Sequence, residues 1–251
     1  MTSFLRRITP VVLAFALLAG CATTGEEFQV HRTPKELYDR AVNLFLVGRY
    51  DEAETSFKKI MEDFPLSPHS VEAELMLGDL SYKREMYEDA SSYYTNFAAL
   101  HPSHPRAPYA LFQKGMSHFK DILSIDRDQT ATRKALFAFE DLVRSYPGSP
   151  YREKAEGLMV FLRERLAARE LYVAKFYYKS KNYTGALTRF RNLLKDYPES
   201  RQTEESLFYM GESYLKIGEE DLAREAFSTL IDSFPDGPFS DDARKMLNRL
   251  G

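Results

Sequence analysis

Apolar and aromatic residues recur along the chain at fixed intervals from a series of prolines. Five segments end in proline preceded by an aromatic residue or histidine, at Phe64-Pro65, His101-Pro102, Tyr146-Pro147, Tyr197-Pro198 and Phe234-Pro235. Twelve residues before each proline stands an alanine, namely Ala53, Ala90, Ala135, Ala186 and Ala223. Eight residues before each stands an aromatic, namely Phe57, Tyr94, Phe139, Phe190 and Phe227. Because aromatics make up 14% of the chain, five such matches would arise by chance about once in twenty thousand trials, which establishes an internal repeat.

A column of small residues precedes these alanines. In four repeats it lies twelve residues earlier, at Ala41, Gly78, Ala174 and Gly211. In the third repeat Gly115 lies twenty residues before Ala135, which implies an eight-residue insertion. The columns resemble the tetratricopeptide (TPR) repeat, in which a small residue is needed where two helix axes approach to about 8–10 Å. Proline then ends the second helix, because it lacks an N–H group and restricts the residue before it.

The spacing of the five prolines predicts where the repeats differ in length. They are 37, 45, 51 and 37 residues apart, so the third repeat has eight extra residues within 119–132 and the fourth has fourteen. Fourteen residues are close to four helical turns, and the stretch 151–179 contains no proline, which favours one long helix or two nearly continuous ones. We therefore expect an all-α TPR superhelical solenoid of five helix-turn-helix repeats plus a C-terminal helix. The expected bounds are about 34–67, 68–105, 106–150, 151–201 and 202–238, with a closing helix at 239–251.

The first residues have the pattern of a lipoprotein signal. Arg6 and Arg7 precede an apolar run at 8–18 that is too short to span a bilayer. The following Leu18-Ala19-Gly20-Cys21 resembles the lipobox of bacterial lipoproteins, in which the cysteine is acylated, for example with palmitate. We predict a removed signal peptide at 1–20, lipid attachment at Cys21 and a tether at 21–33; the alternative is a buried N-terminal helix with an incidental cysteine. Ala22 in place of aspartate favours the outer membrane under the enteric sorting rule.

Composition and charge narrow the function. The chain has 251 residues, 44% of them hydrophobic, and a formal net charge of −3, without a basic block that would displace counterions from nucleic acid. A single cysteine excludes an internal disulfide. His101 and His104 lack an acidic or cysteine partner nearby in the sequence, and no phosphate-binding glycine loop, nucleophile elbow or HExxH motif occurs. We therefore predict no catalytic residues, no metal and no cofactor.

Recognition by a groove is the remaining option, since solenoids bind partners on their concave surface. In TPR arrays the first helix of each pair presents four positions inward. In this register the N-terminal half of the groove is the more aromatic, whereas the fourth repeat presents Ala168, Leu171, Lys175 and Tyr178. The candidate client-binding residues are Tyr38, Phe45, Tyr82, Tyr109, Phe112 and Phe119. The alternative is that some of these rings are packed under the tether or the insertion.

Several longer stretches resemble the ComL (BamD) family of TPR lipoproteins. They are RYDEA at 49–53, HPSHP at 101–105, DRDQ at 126–129, LVRSYPGSPY at 142–151 and RERLAARELYVAKFYY at 163–178. The last is the most specific, because the lengthening of the fourth repeat falls where that family has its long helix. The resemblance covers nearly the whole mature chain.

The resemblance implies a scaffold on the periplasmic face of the outer membrane. Such a protein binds BamA and other subunits of the β-barrel assembly (Bam) complex, and it binds unfolded outer-membrane proteins whose alternating apolar residues end in an aromatic. It also implies that Arg189 forms an ion pair with a POTRA domain of BamA. The neighbouring Arg191 could be the matching arginine instead, and the alternative is that Arg189 is simply a solvated surface residue. Two rival functions stay open: a TPR lipoprotein that organises peptidoglycan or cell-division partners, and a lipid-anchored enzyme.

Overall fold

The computed structural model describes residues 33–250, which form eleven α-helices and no β-strand. The helices are α1 (Pro34–Leu46), α2 (Tyr50–Asp63), α3 (Pro68–Lys83), α4 (Tyr87–Leu100), α5 (Ala107–Lys120), α6 (Thr130–Ser145), α7 (Arg152–Lys179), α8 (Tyr183–Asp196), α9 (Thr203–Lys216), α10 (Glu220–Ser233) and α11 (Ser240–Leu250). The predicted signal peptide, Cys21, Gly251 and all but the last residue of the tether lie outside the described residues. The all-α TPR solenoid is confirmed.

Each helix packs mainly against its neighbours in sequence, which gives a one-dimensional array. Five pairs run from α1/α2 to α9/α10, and α11 packs on α10. The first helices also meet across repeats, since α1 contacts α3 and α7 contacts α9. One side of the array is therefore lined by first helices, and this side holds the predicted groove.

The alanine and aromatic columns form the interior of the repeats. All five alanines and all five aromatics named above have no exposed surface. The small-residue column lies where the helices cross: a Cβ atom on Gly78 would lie 2.8 Å from Cε1 of Tyr94, and one on Gly115 would lie 2.4 Å from Cε1 of Phe139. The aromatic ring of the second helix thus fills the space that the small residue leaves in the first.

The insertion and the lengthening take different forms. The fourteen extra residues of the fourth repeat belong to α7, which is one helix of 28 residues. Most of the extra residues of the third repeat lengthen the connection between α5 and α6, residues 121–129, which we call the insertion loop, and the rest add to the start of α6. One repeat has therefore gained helical turns and the other a loop.

Replacing Gly115 with alanine should lower the free energy of unfolding by about 1–2 kcal/mol, because the new methyl group would overlap the Phe139 ring. Gly157 supplies the matched control, since it also lies inside a helix but has nothing within 4 Å of its would-be Cβ. Gly157→Ala should stabilise the protein by up to about 1 kcal/mol through helix propensity. Urea unfolding of both variants checks the prediction, and a shift of equal sign at the two sites would contradict it.

Candidate binding groove

Three aromatic candidates in the first two repeats present part of their ring to solvent. The Tyr38 ring stacks on His69, with centroids 5.5 Å apart. Phe45 packs against Tyr50 at 5.9 Å, and Tyr82 meets the edge of Tyr87 at 5.4 Å. All three candidates are half-buried. They are held in place by neighbouring rings and can still contact a ligand.

The aromatic candidates of the third repeat differ from one another. Phe119 is half-buried and contacts Phe161 of α7 at 5.7 Å. Tyr109 is half-buried, and its ring packs below the guanidinium group of Arg106, 5.1 Å from the ring centroid. Phe112 was predicted to line the groove, but the structure contradicts this prediction, because Phe112 is only 5% exposed. Its ring packs in the core, as described next.

Phe112 is covered by a residue that the fourth repeat contributes. Tyr151, just before α7, stacks on the Phe112 ring at 5.1 Å, and Phe139 packs on it at 5.6 Å. Lys154 lies over the same ring. A ligand could reach Phe112 only by displacing Tyr151, so we remove Phe112 from the proposed groove.

A partly buried polar network underlies the groove between the second and third repeats. The hydroxyl groups of Tyr94 and Tyr109 each donate to Oδ1 of Asp79 at 2.7 Å. Arg106 donates to Glu72 at 2.7 Å and lies 3.6 Å from the other carboxylate oxygen of Asp79. His104 lies 3.4 Å from Glu72. The groove therefore has a charged floor, which links α3, α4 and α5.

Burial dominates the electrostatics of this network. It raises the pKa of Asp79 above its ordinary value, although the two tyrosine hydroxyls and the Arg106 guanidinium favour the carboxylate. Burial also raises the pKa values of Tyr94 and Tyr109, and the negative charge of Asp79 adds to this effect. Both tyrosines therefore stay protonated and act as hydrogen-bond donors. The network forms only when three helices pack together, because Asp79, Tyr94 and Tyr109 lie on α3, α4 and α5.

The two arginines of α8 are both engaged within the protein. Nη1 of Arg189 lies 3.3 Å from Oε2 of Glu170 on α7, and both side chains are partly exposed. Arg191 donates to the Tyr214 hydroxyl at 2.8 Å and lies over the ring of the same residue. A partner carboxylate could reach Arg189 by competing with Glu170. The geometry leaves the choice between the two arginines open.

A second recess lies on the first-helix side of the fourth repeat, where sequence analysis found little aromatic character. It is a cavity of about 460 Å³ between α7, the insertion loop and the start of α9. Its lining residues are Ile125, Ala168, Leu171, Tyr172, Lys175, Phe176, Lys179 and Gln202. We call it the α7 cavity. Tyr172 and Phe176 were missed because they fall outside the four inward positions of the TPR register.

Residues 33–250 contain neither a membrane-spanning helix nor a cluster of metal ligands. No helix in this range is both long and apolar enough to cross a bilayer. The same range brings together no group of three or more histidine, cysteine, aspartate or glutamate side chains arranged to hold a metal ion.

The fold and these recesses define a TPR array with an aromatic-lined groove. Residues 30–226 match the family described as YfiO, outer membrane lipoprotein, and the chain belongs to this family. It is 32% identical to the outer membrane protein assembly factor BamD of Haemophilus influenzae, with 90% of this chain and 89% of that protein covered. It is 30% identical to the protein of the same name from Caulobacter vibrioides, over 96% of this chain and 80% of that protein.

Two solved TPR structures share the fold class at lower sequence identity. The TPR2AB domain of yeast Sti1, in its complex with pHSP90, matches with a TM-score of 0.46 and 12% identity, covering 86% of this chain and 82% of that chain. A TPR protein from Thermus thermophilus matches with a TM-score of 0.37 and 18% identity, over 87% and 98% of the two chains. The fold assignment rests on the helices described above.

Proposed function

We propose that the chain is an outer-membrane-anchored, periplasmic scaffold of the Bam complex that binds BamA and unfolded outer-membrane proteins. The observation that carries the proposal is family membership over most of the chain, with relatives named as outer membrane protein assembly factors. The half-exposed aromatic groove supports it, because such a surface suits the apolar side chains of an unfolded barrel strand. The lipobox supports anchoring through an acylated Cys21.

Co-purification from detergent-solubilised membranes tests this function directly. Tagged full-length protein should retain BamA and the other Bam subunits. Recovery of a cell-division or peptidoglycan complex instead would favour the rival scaffold function. Activity without any stable partner would favour an anchored enzyme. The names of the relatives favour the first outcome.

Arg189→Glu should weaken BamA co-purification severalfold, because it places a negative charge where a POTRA carboxylate is proposed to bind. The thermal midpoint should change little, since the Arg189 pair with Glu170 is partly exposed and such pairs contribute about 0–1 kcal/mol. Lys195→Glu, an equal charge reversal at an exposed position of the same helix, is the control.

A charge swap separates a partner contact from an internal one. Arg189→Glu combined with Glu170→Arg rebuilds the pair inside the protein with reversed polarity. BamA recovery should stay low in this double variant if Arg189 meets the partner. Full recovery of BamA with the double variant would show that the ion pair between Arg189 and Glu170 is needed only within the protein. Normal recovery of BamA with Arg189→Glu alone would refute the proposed contact between Arg189 and BamA.

Photo-crosslinking side chains at Tyr38 and Tyr82 should trap unfolded outer-membrane proteins, because both rings are half-buried at the groove surface. Thr188 on the second helix of the fourth repeat is exposed and serves as the control position. We expect several times more adduct at the groove positions than at the control. Equal labelling at all three positions would argue against a client site in this groove.

A further inference from the structure

Two aromatic side chains in the wall of the α7 cavity are exposed to solvent. Phe176 is 63% exposed and Tyr172 is 48% exposed. They lie one helical turn apart, so both side chains project from the same side of α7. Ile125 of the insertion loop and Leu171 complete the apolar lining. Aromatic side chains that stay this accessible at a recess are a recurring mark of binding sites.

The walls are fixed by hydrogen bonds that hold the insertion loop against α7. Arg169 donates to the carbonyl of Ile125 at 3.0 Å and lies over the Tyr172 ring. Arg165 donates to the carbonyl of Leu123. Within the loop, Gln129 is buried and donates to the carbonyls of Ser124 and Arg127. The cavity is thus preformed, and a ligand would spend little free energy on ordering it.

Two polar groups at the cavity have no partner among residues 33–250. The buried Oε1 of Gln202 accepts no hydrogen bond. Lys179 makes no ion pair, whereas the neighbouring Lys175 is neutralised by Glu205 and lies over the Tyr209 ring. A ligand that fits the cavity would therefore donate an N–H group to Oε1 of Gln202 and place a carboxylate near Lys179. It would also carry apolar side chains that pack on Tyr172 and Phe176.

An extended peptide meets these requirements better than a helix. Most backbone N–H groups of a helix are already bonded within it, whereas a strand bound by one edge has free donors. Tyr172 and Phe176 are separated by four residues of helix, about 6 Å along its axis. Side chains on one face of a strand recur every two residues, about 6.6 Å. Two apolar side chains of a strand would therefore fall in register with the two rings.

We propose that the α7 cavity binds an extended segment with alternating apolar side chains and a neighbouring carboxylate, as in an unfolded strand of an outer-membrane barrel. This inference rests on the proposed function, since that function supplies the class of ligand. It adds a client site separate from the aromatic groove of the first three repeats. Arg189 does not line the cavity, so the proposed BamA contact can be tested independently.

The test measures binding of a labelled peptide to the detergent-solubilised full chain by fluorescence anisotropy. The probe is a synthetic ten-residue peptide in which Phe, Tyr and Val alternate with Ser, Thr and one Asp. Phe176→Asp should weaken its binding about tenfold or more. Phe137→Asp is the matched control, because Phe137 is equally exposed at 60% but lies on α6 outside the cavity. Binding to this control should be unchanged.

Two further arms identify the occupant. Lys179→Glu should weaken binding severalfold, and a peptide with Lys in place of Asp should recover the loss. Gln202→Leu, which removes the acceptor, should also weaken binding severalfold. An isomer of the peptide with its apolar residues grouped together should bind at least tenfold more weakly than the alternating peptide.

Several results would overturn the proposal. These are equal affinity for both isomers, tighter binding of a helical peptide, or equal losses in Phe176→Asp and Phe137→Asp. Circular dichroism of each variant confirms that it is folded, and the milder Phe176→Ser replaces Phe176→Asp if the charge unfolds the protein. Loss of peptide binding with normal BamA co-purification in Phe176→Asp would support the site and leave the proposed function intact. Failure of the unmodified chain to bind the peptide, with BamA co-purification intact, would refute this site alone.

Discussion

Phe139→Ala is expected to lower the free energy of unfolding by about 3–5 kcal/mol, the range for removing a fully buried phenylalanine. The Phe139 ring is completely buried, packs on Phe112 and fills the space against Gly115. Because the array is held together by contacts between neighbouring helices, the resulting cavity would loosen the joint between α5 and α6. Chemical denaturation followed by circular dichroism measures the effect.

Phe137→Ala is the matched control for this prediction. Phe137 lies two residues away on the same helix, and its side chain is mostly exposed. Surface substitutions of this kind usually change stability by less than about 0.5 kcal/mol. Similar losses in the two variants would mean that the aromatic column is not the interior of the repeat.

Arg106→Met should destabilise the protein by about 2–3 kcal/mol near neutral pH. The change leaves Glu72 and Asp79 close together without their shared cation, and only 13% of the Asp79 side chain is exposed. Breaking a fully buried pair costs about 3–5 kcal/mol, and we expect less here because Arg106 is partly exposed. Methionine keeps most of the side-chain volume, so the lost free energy of unfolding reflects the removal of the positive charge.

The loss should depend on pH in a defined direction. The pKa of Asp79 is already raised by burial, and Arg106 is one of the groups that lower it. Its removal should therefore raise the pKa of Asp79 further. An acid whose folded pKa exceeds its unfolded value contributes stability below the unfolded pKa and loses that contribution as pH rises through the folded pKa. The deficit of Arg106→Met relative to the unmodified protein should therefore shrink as pH falls from 8 towards 5.

The double variant Asp79→Asn with Arg106→Met isolates the responsible carboxyl group. It should be more stable than Arg106→Met alone near neutral pH, because the amide carries no charge. Its deficit should vary less with pH than that of the single variant. A deficit in Arg106→Met that is constant or grows on acidification would contradict the role assigned to Asp79.

Much of the fold follows from local sequence because each repeat makes its own core. The alanine, aromatic and proline of each repeat make their contacts within one helix pair. Their spacing along the chain is therefore enough to predict the buried columns. Even the extra residues could be placed by counting. The spacing of residues does not show that the insertion loop is hydrogen-bonded to α7. Those bonds come from arginines about forty residues further along the chain.

One further column escaped the sequence because its residue type varies. The backbone is left-handed seventeen residues before four of the prolines, at Gly48, Glu85, Lys181 and Gly218, with φ between 61° and 84°. Glycine adopts this conformation readily, whereas in glutamate and lysine it is strained by about 1–2 kcal/mol. Only the turn geometry reveals that these four positions are equivalent.

The repeat, the helical class, the buried columns and the family resemblance can all be read from the amino-acid sequence, because they depend on spacing within single helix pairs. The tertiary structure decided which aromatics are accessible, because accessibility depends on residues from other repeats. Tyr151 buries Phe112, whereas nothing in residues 33–250 covers the exposed faces of Tyr172 and Phe176. Packing also makes Asp79 the centre of a partly buried network, since its partners come from α4, from α5 and from Arg106 just before α5. Contacts between distant segments are fixed only when the helices pack, and the candidate binding surfaces are made of such contacts.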